Sequence, residues 1–212
     1  MVKTYITQWL YTFPWSQVVS GFWQKFPNPY TGHVLSEDTY YRTITEDNKI
    51  ISKRLLSKTN KLPRWGERIF SRGSSSTIGF IIEESVCDIK QKIFTTTTIN
   101  INLKSLMTVQ ETCIYRPDKT DESRTVCEKK VAAQGELFGF KTTLETFVIQ
   151  RYKKNHELAS LGLEFILHKL YLPQLPPPPI TGIKTPDMRT FSRKLSDKAK
   201  DFLKSSTNND TL

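Results

Sequence analysis

The spacing of apolar positions changes several times along the chain. Residues 3–13 (KTYITQWLYTF) are aromatic and β-branched with partial alternation, which predicts a strand. Val18, Val19, Phe22, Trp23 and Phe26 then recur at helical spacing. The segment 14–26 therefore reads as a short amphipathic helix, opened by Pro14 and stopped by Pro27-Asn28-Pro29. Segments 33–45 and 49–58 flank a Glu-Asp-Asn turn and predict a hairpin. Four more strands are expected at 77–86, 93–102, 106–115 and 125–134, separated by polar turns such as 116–124 (RPDKTDESR). From 135 to 172 the pattern becomes helical, with Leu144, Val148, Tyr152, Ala159, Leu163, Ile166 and Leu170 on one face.

This order predicts an α+β fold: a curved antiparallel sheet of about seven strands with a long C-terminal helix laid across it. Such a helix and sheet enclose a space, which is either filled core or a ligand cavity. Residues 1–172 form the expected domain. The stretch 173–186, opening on PQLPPPP, reads as a Pro-rich linker. Residues 187–212 read as a tail, either a basic amphipathic helix or solvated and disordered. Between the hairpin and the next strand, 60–76 (NKLPRWGERIFSRGSSS) combines Pro, Gly and Ser with Trp65, Ile69 and Phe70. We read it as a lid loop.

Charge narrows the function. Lys plus Arg number 31 against 21 acids, for a net charge of +10, so an anionic partner is expected: nucleic acid, an anionic membrane or an acidic ligand. Cys87, Cys113 and Cys127 are odd in number and lack CxxC spacing, against a disulfide framework or a zinc finger. No run approaches the length of a membrane-spanning helix, and 1–13 lacks both a signal-peptide core and a transit-peptide pattern. No phosphate loop, dinucleotide fingerprint, nucleophile elbow or zinc-protease motif occurs. His33, His156 and His168 do not form a metal set, and nothing local supports a cysteine paired with His33. Neither metal nor cofactor is expected. Glu37-Asp38 and Glu83-Glu84 are adjacent strand residues, so their side chains point to opposite faces and read as structural or solvated charges.

Three signals remain. Residues 49–72 carry eight cations against Glu67 alone, with Arg54 and Lys58 on one strand face and Lys61 next in line. They read either as a solvated edge or as a phosphate seat. Arg151 and Asn155 interrupt the apolar stripe of the long helix, and either dip into water or face a cavity. Lys25-Phe26-Pro27-Asn28-Pro29-Tyr30, followed by His33, makes a stiff corner that can place Lys25 and His33.

Taken together, FWQKFPNPYTGHVLSEDT (22–39), KRLLSKTNKLPRWGERIF (53–70), the meander and GLEFILHKL (162–170) resemble the PRELI domain family of mitochondrial phospholipid carriers. The resemblance spans about residues 1–172. It implies a lipid pocket closed by helices, with the loop at about 60–72 as its lid, including Leu62, Pro63, Trp65, Ile69 and Phe70. It implies head-group contacts from Lys25, His33, Arg54, Lys58, Lys61, Arg151 and Asn155. The chain departs from the family at Leu158, where relatives tend to carry lysine. The resemblance further implies no catalysis, phosphatidic acid as cargo, cardiolipin synthesis as purpose, and the mitochondrial intermembrane space as location. A small twin cysteine-x9-cysteine helical protein is the implied partner, with peripheral contact to anionic membranes.

Physical chemistry suits such a carrier, because each methylene left in water costs about 0.8 kcal/mol. Two long acyl chains need nearly complete burial. The rival readings are a carrier selective for phosphatidylserine, a basic nucleic-acid-binding module, a lipid hydrolase and an interaction scaffold. No known nucleic-acid motif appears, and acids are spread through the meander.

Overall fold

The computed structural model describes residues 2–61, 76–102, 104, 106–136 and 138–172. Seven strands and two helices make up this region. In chain order they are β1 (Lys3–Tyr11), α1 (Trp15–Phe22), β2 (Val34–Ile44), β3 (Lys49–Lys61), β4 (Ser76–Asp88), β5 (Ile93–Asn100), β6 (Met107–Pro117), β7 (Thr125–Gly135) and α2 (Lys141–Tyr171). The strands form one antiparallel sheet in the order β1-β7-β6-β5-β4-β3-β2. This is the expected α+β fold: β2 to β7 run as a meander, and β1 returns to pair with β7.

Turn chemistry fixes the hairpins. Asn48 takes a left-handed φ of 59°, which asparagine tolerates well, and Thr45 Oγ donates to Asp47 at 2.5 Å. The β4–β5 turn places Lys92 at φ 51°, and the Gln91 amide donates to Asp88 at 2.9 Å. The long helix begins later than its sequence pattern suggests, at Lys141. Gly135 still belongs to β7, and Gly139 adopts φ 79°, which no helix continues through. Gly135 is also required by close approach, because a Cβ there would lie 2.6 Å from the Lys141 carbonyl oxygen.

Inward positions of β5, β6 and β7 meet α1 and α2 in the main core: Phe94, Cys113, Tyr115 and Cys127 pack with Val18, Phe22, Leu163 and Leu167. Phe22 is at the centre of an aromatic group, 4.9 Å from Phe94 and 5.9 Å from Tyr115, both edge to face. Such pairs add about 0.5–1.5 kcal/mol each beyond area burial. Val131, Ala133 and Ile149 form a smaller cluster toward the other end of α2. The two clusters pin α2 near both ends, and the stretch between them faces a cavity.

Candidate functional site

The cavity has a volume of about 480 Å³. Its wall is mixed in character: Phe26, Ile81, Leu106, Met107, Val109, Val131, Phe147 and Val148 supply apolar surface from the sheet and α2. His33, Lys58, Arg151 and Asn155 also line it. Four of the expected head-group residues are thus brought together. Arg151 and Asn155, the polar interruption of the long helix, face the cavity.

The electrostatics of this group follow from burial and proximity. Desolvation, then Arg151, pulls the Lys58 ammonium below its usual range, although Glu111 opposes. Desolvation, then Lys58 and Arg151, pulls the His33 imidazole down. Desolvation also lowers Arg151. Glu111 is the single acid among the described lining residues, and it accepts the Tyr152 hydroxyl at 2.6 Å. Burial and Glu111 in turn push the Tyr152 phenol far up, so it stays a neutral donor. The wall therefore carries more positive than negative formal charge in a partly dry setting, which suits an anion.

Two other expected residues are placed differently. Lys25 and Arg54 do not line the cavity; they meet Glu83 in a buried ion cluster. Lys25 Nζ donates to Glu83 Oε2 at 2.8 Å, and Arg54 binds both Glu83 and, at 2.9 Å, Glu37. Arg54 is only 2% exposed. Lys25 Nζ also sits 3.7 Å from the centre of the Phe22 ring, and the Arg54 guanidinium 4.9 Å from it. Burial would raise the Glu83 carboxyl, but Lys25 and Arg54 outweigh it and hold the pKa below its ordinary value. Two cations and two carboxylates cancel here, leaving no formal charge for a ligand.

Register explains why Arg54 and Lys58, on one face of one strand, have different surroundings. On β4, Glu83 lies opposite Arg54, whereas Gly79 lies opposite Lys58. The glycine offers neither counter-charge nor bulk, so the Lys58 side chain borders open space. The adjacent acids behave as expected: Glu83 is buried, while Glu84 pairs outward with Lys53 at 2.9 Å.

Lys61 ends β3, and its side chain lies outside the described residues. The lid positions Leu62, Pro63, Trp65, Ile69 and Phe70 lie outside them too, as do the linker and tail from 173 onward. Sequence reasoning missed Tyr30, Thr31, Glu111 and Tyr152 as cavity residues. Glu111 was findable: it occupies the same inward phase of β6 as Cys113 and Tyr115, where an acid is out of place. Thr31 Oγ is buried with no hydrogen-bond partner among the described residues.

Among the described residues no group of acids, histidines and cysteines could hold a metal ion, and no helix is long and apolar enough to cross a membrane.

A model of the PRELI-like family matches residues 16–172. The mitochondrial PRELI domain-containing protein 1 of Bos taurus is 37% identical over 201 residues, covering 95% of this chain and 87% of its own. Its Homo sapiens counterpart is 38% identical over 170 residues, covering 80% and 77%. The mitochondrial protein UPS1 of Saccharomyces cerevisiae is 30% identical over 171 residues, covering 80% and 95%. Among solved structures, a Thermus thermophilus protein has TM-score 0.51 at 13% identity, covering 79% of this chain and 98% of its own. That likeness is one of fold.

Proposed function

The chain belongs to the PRELI-like family, and from that premise we propose that it carries an acidic phospholipid between mitochondrial membranes without altering it chemically. The observation that supports this reading is the cavity between sheet and α2, apolar along most of its wall and cationic at Lys58 and Arg151, with His33 beside them. Acyl chains enter the apolar part, since each methylene hidden from water is worth about 0.8 kcal/mol. The phosphate rests against Lys58 and Arg151, and Asn155 adds a hydrogen-bond donor.

The cargo we favour is phosphatidic acid. Its phosphomonoester carries roughly −1.5 to −2 charges near neutral pH, matching a wall with excess positive charge. In the intermembrane space this would feed cardiolipin synthesis, with a twin cysteine-x9-cysteine protein as holder. Leu158 favours phosphatidylserine as a second reading: it lines the cavity where the resemblance implies lysine, so one cation fewer faces the head group. A larger, less charged head then becomes acceptable.

The test is lipid transfer between liposomes, by the protein alone and with the helical partner. Phosphatidate, phosphatidylserine and phosphatidylcholine are run in parallel, with free fatty acid and phosphate release monitored. We expect phosphatidate to move fastest and to arrive intact. Absence of transfer for every lipid, alongside salt-dependent nucleic-acid binding, would overturn the reading, and release of fatty acid or phosphate would make the protein a hydrolase.

A further inference from the structure

Some residues that line the cavity are also solvent-exposed: Tyr30 (40%), His33, Asn155 and Leu158 (44%). They mark where the cavity reaches solvent. From Leu158 an apolar stripe continues along α2 through Leu161 and Phe165, at i, i+3 and i+7, each at least 36% exposed. Tyr30, from the Pro-Asn-Pro corner, approaches Phe165 edge to face at 6.3 Å. The stripe and the corner therefore form one patch, and Tyr30 and Leu158 belong to both patch and cavity wall.

α2 buries its opposite flank through Ser160, Leu163, Ile166 and Leu167. Large apolar side chains left outside in a contiguous group mark a contact surface. On the wheel of 3.6 residues per turn, Lys154 falls on the same stripe, and Glu157 and Glu164 border its Leu161 edge at i−4 and i+3. The patch thus has an apolar middle, a phenol at its border and a cation on its line, the composition of side chains that sit at a membrane–water boundary.

We propose that the Tyr30–Leu158–Leu161–Phe165 patch is the surface by which this protein inserts into the interfacial layer of an anionic bilayer. The proposal rests on the carrier reading above and names the docking surface for it. The partner is a lipid surface because the patch is continuous with the cavity mouth. An acyl chain passing over Leu158 crosses no water if the patch is immersed, and would otherwise expose methylene after methylene.

The first experiment uses Leu161→Cys in the full chain. The native Cys87, Cys113 and Cys127 are all buried, so the new thiol labels selectively in the folded protein. A nitroxide there is read by its oxygen and nickel accessibility, with vesicles of phosphatidylcholine containing phosphatidate as the probe. Immersion of the label is expected. A label that remains in water while the protein transfers lipid overturns the proposal.

The second experiment uses Leu161→Ser with Phe165→Ser, neither of which is itself a cavity-lining residue. Vesicle binding should fall at least about tenfold, the lower bound for withdrawing two partly inserted apolar side chains from the interface. Transfer should fall with it, while lipid loaded from mixed micelles is retained as in the wild type. Unchanged vesicle binding defeats the proposal. So does a variant that binds vesicles normally but loses a dimer or its helical partner, which would assign the patch to protein association. If the wild type itself neither loads nor transfers lipid, the carrier reading has failed instead.

Discussion

Lys58 holds its position at a cost to the lipid-free protein. It is drawn partly out of water beside Arg151, with Gly79 rather than an acid across the strand pair. Its folded pKa is lowered, so the cost is present at neutral pH and is relieved only as pH rises past that value. Lys58→Met should therefore raise the melting temperature of the lipid-free chain by roughly 2–4 °C, the equivalent of about 1 kcal/mol at this size. Phosphatidate transfer should drop at least about tenfold, the loss of one charge-assisted bond to phosphate. Calorimetry and the liposome assay together check this. A variant both less stable and fully active would show that Lys58 serves packing. His33 offers an independent readout. Its lowered pKa leaves it mostly neutral near pH 7, and stability falls as pH drops through the ordinary value of 6.5. A phosphate beside it restores the charged form, so its NMR-titrated pKa should rise by about one unit or more on lipid loading. No rise would place the head group elsewhere.

At the scale of elements, the sheet was legible and its register was not. Period-two patterning sets which face a residue takes, and it put Arg54 and Lys58 on the same one. It does not say what lies opposite on the next strand, and that pairing separates them: Glu83 neutralises one, Gly79 leaves the other beside the cavity. The same gap hid Lys25, whose partner Glu83 is 58 residues away. The start of α2 was misread because a left-handed glycine interrupts a pattern that remains apolar on both sides. Arg151 and Asn155 were readable as cavity candidates because a polar group on an apolar stripe costs free energy unless it is satisfied. Glu83→Gln should cost about 3–5 kcal/mol, since Lys25 and Arg54 then share an interior with too little counter-charge. The Glu83 contribution is present above its ordinary carboxylate pKa of 4.5 and fades as pH falls through its lower folded value. Denaturant unfolding of wild type and variant across pH 3 to 7 should show the gap narrowing toward acid. Gly162→Ala probes the contact between α2 and the Pro-Asn-Pro corner. A Cβ there would lie 2.7 Å from Asn28 Oδ1. That amide cannot withdraw freely, since Nδ2 donates to the Lys25 carbonyl and Oδ1 accepts from the Tyr30 amide. Alanine's helix preference gives back about 1 kcal/mol, but overpacking costs about 1–3, so a net loss in unfolding free energy is expected.

At the scale of the whole molecule, two kinds of force act on one transfer cycle, and salt separates them. On the proposed carrier reading, a net charge of +10 draws the chain toward anionic bilayers, each cation near the surface contributing about 1 kcal/mol. That attraction is screened, because the Debye length shrinks from about 10 Å at 0.1 M salt to about 3 Å at 1 M. Acyl-chain burial in the cavity is not screened, and salt does not weaken it. Docking on vesicles containing phosphatidate should therefore fall steeply with salt. Docking on phosphatidylcholine vesicles should be weak and nearly flat. The preloaded complex should keep its lipid throughout if the head group sits, as proposed, beside Lys58 in a partly dry wall rather than in bulk solvent. Flotation of the protein with each vesicle type, and lipid extraction from the preloaded complex, at low and high salt check all three. Salt-induced release of lipid from the preloaded complex would mean that the phosphate sits in solvent at the mouth. The cationic wall would then act in capture rather than in carriage.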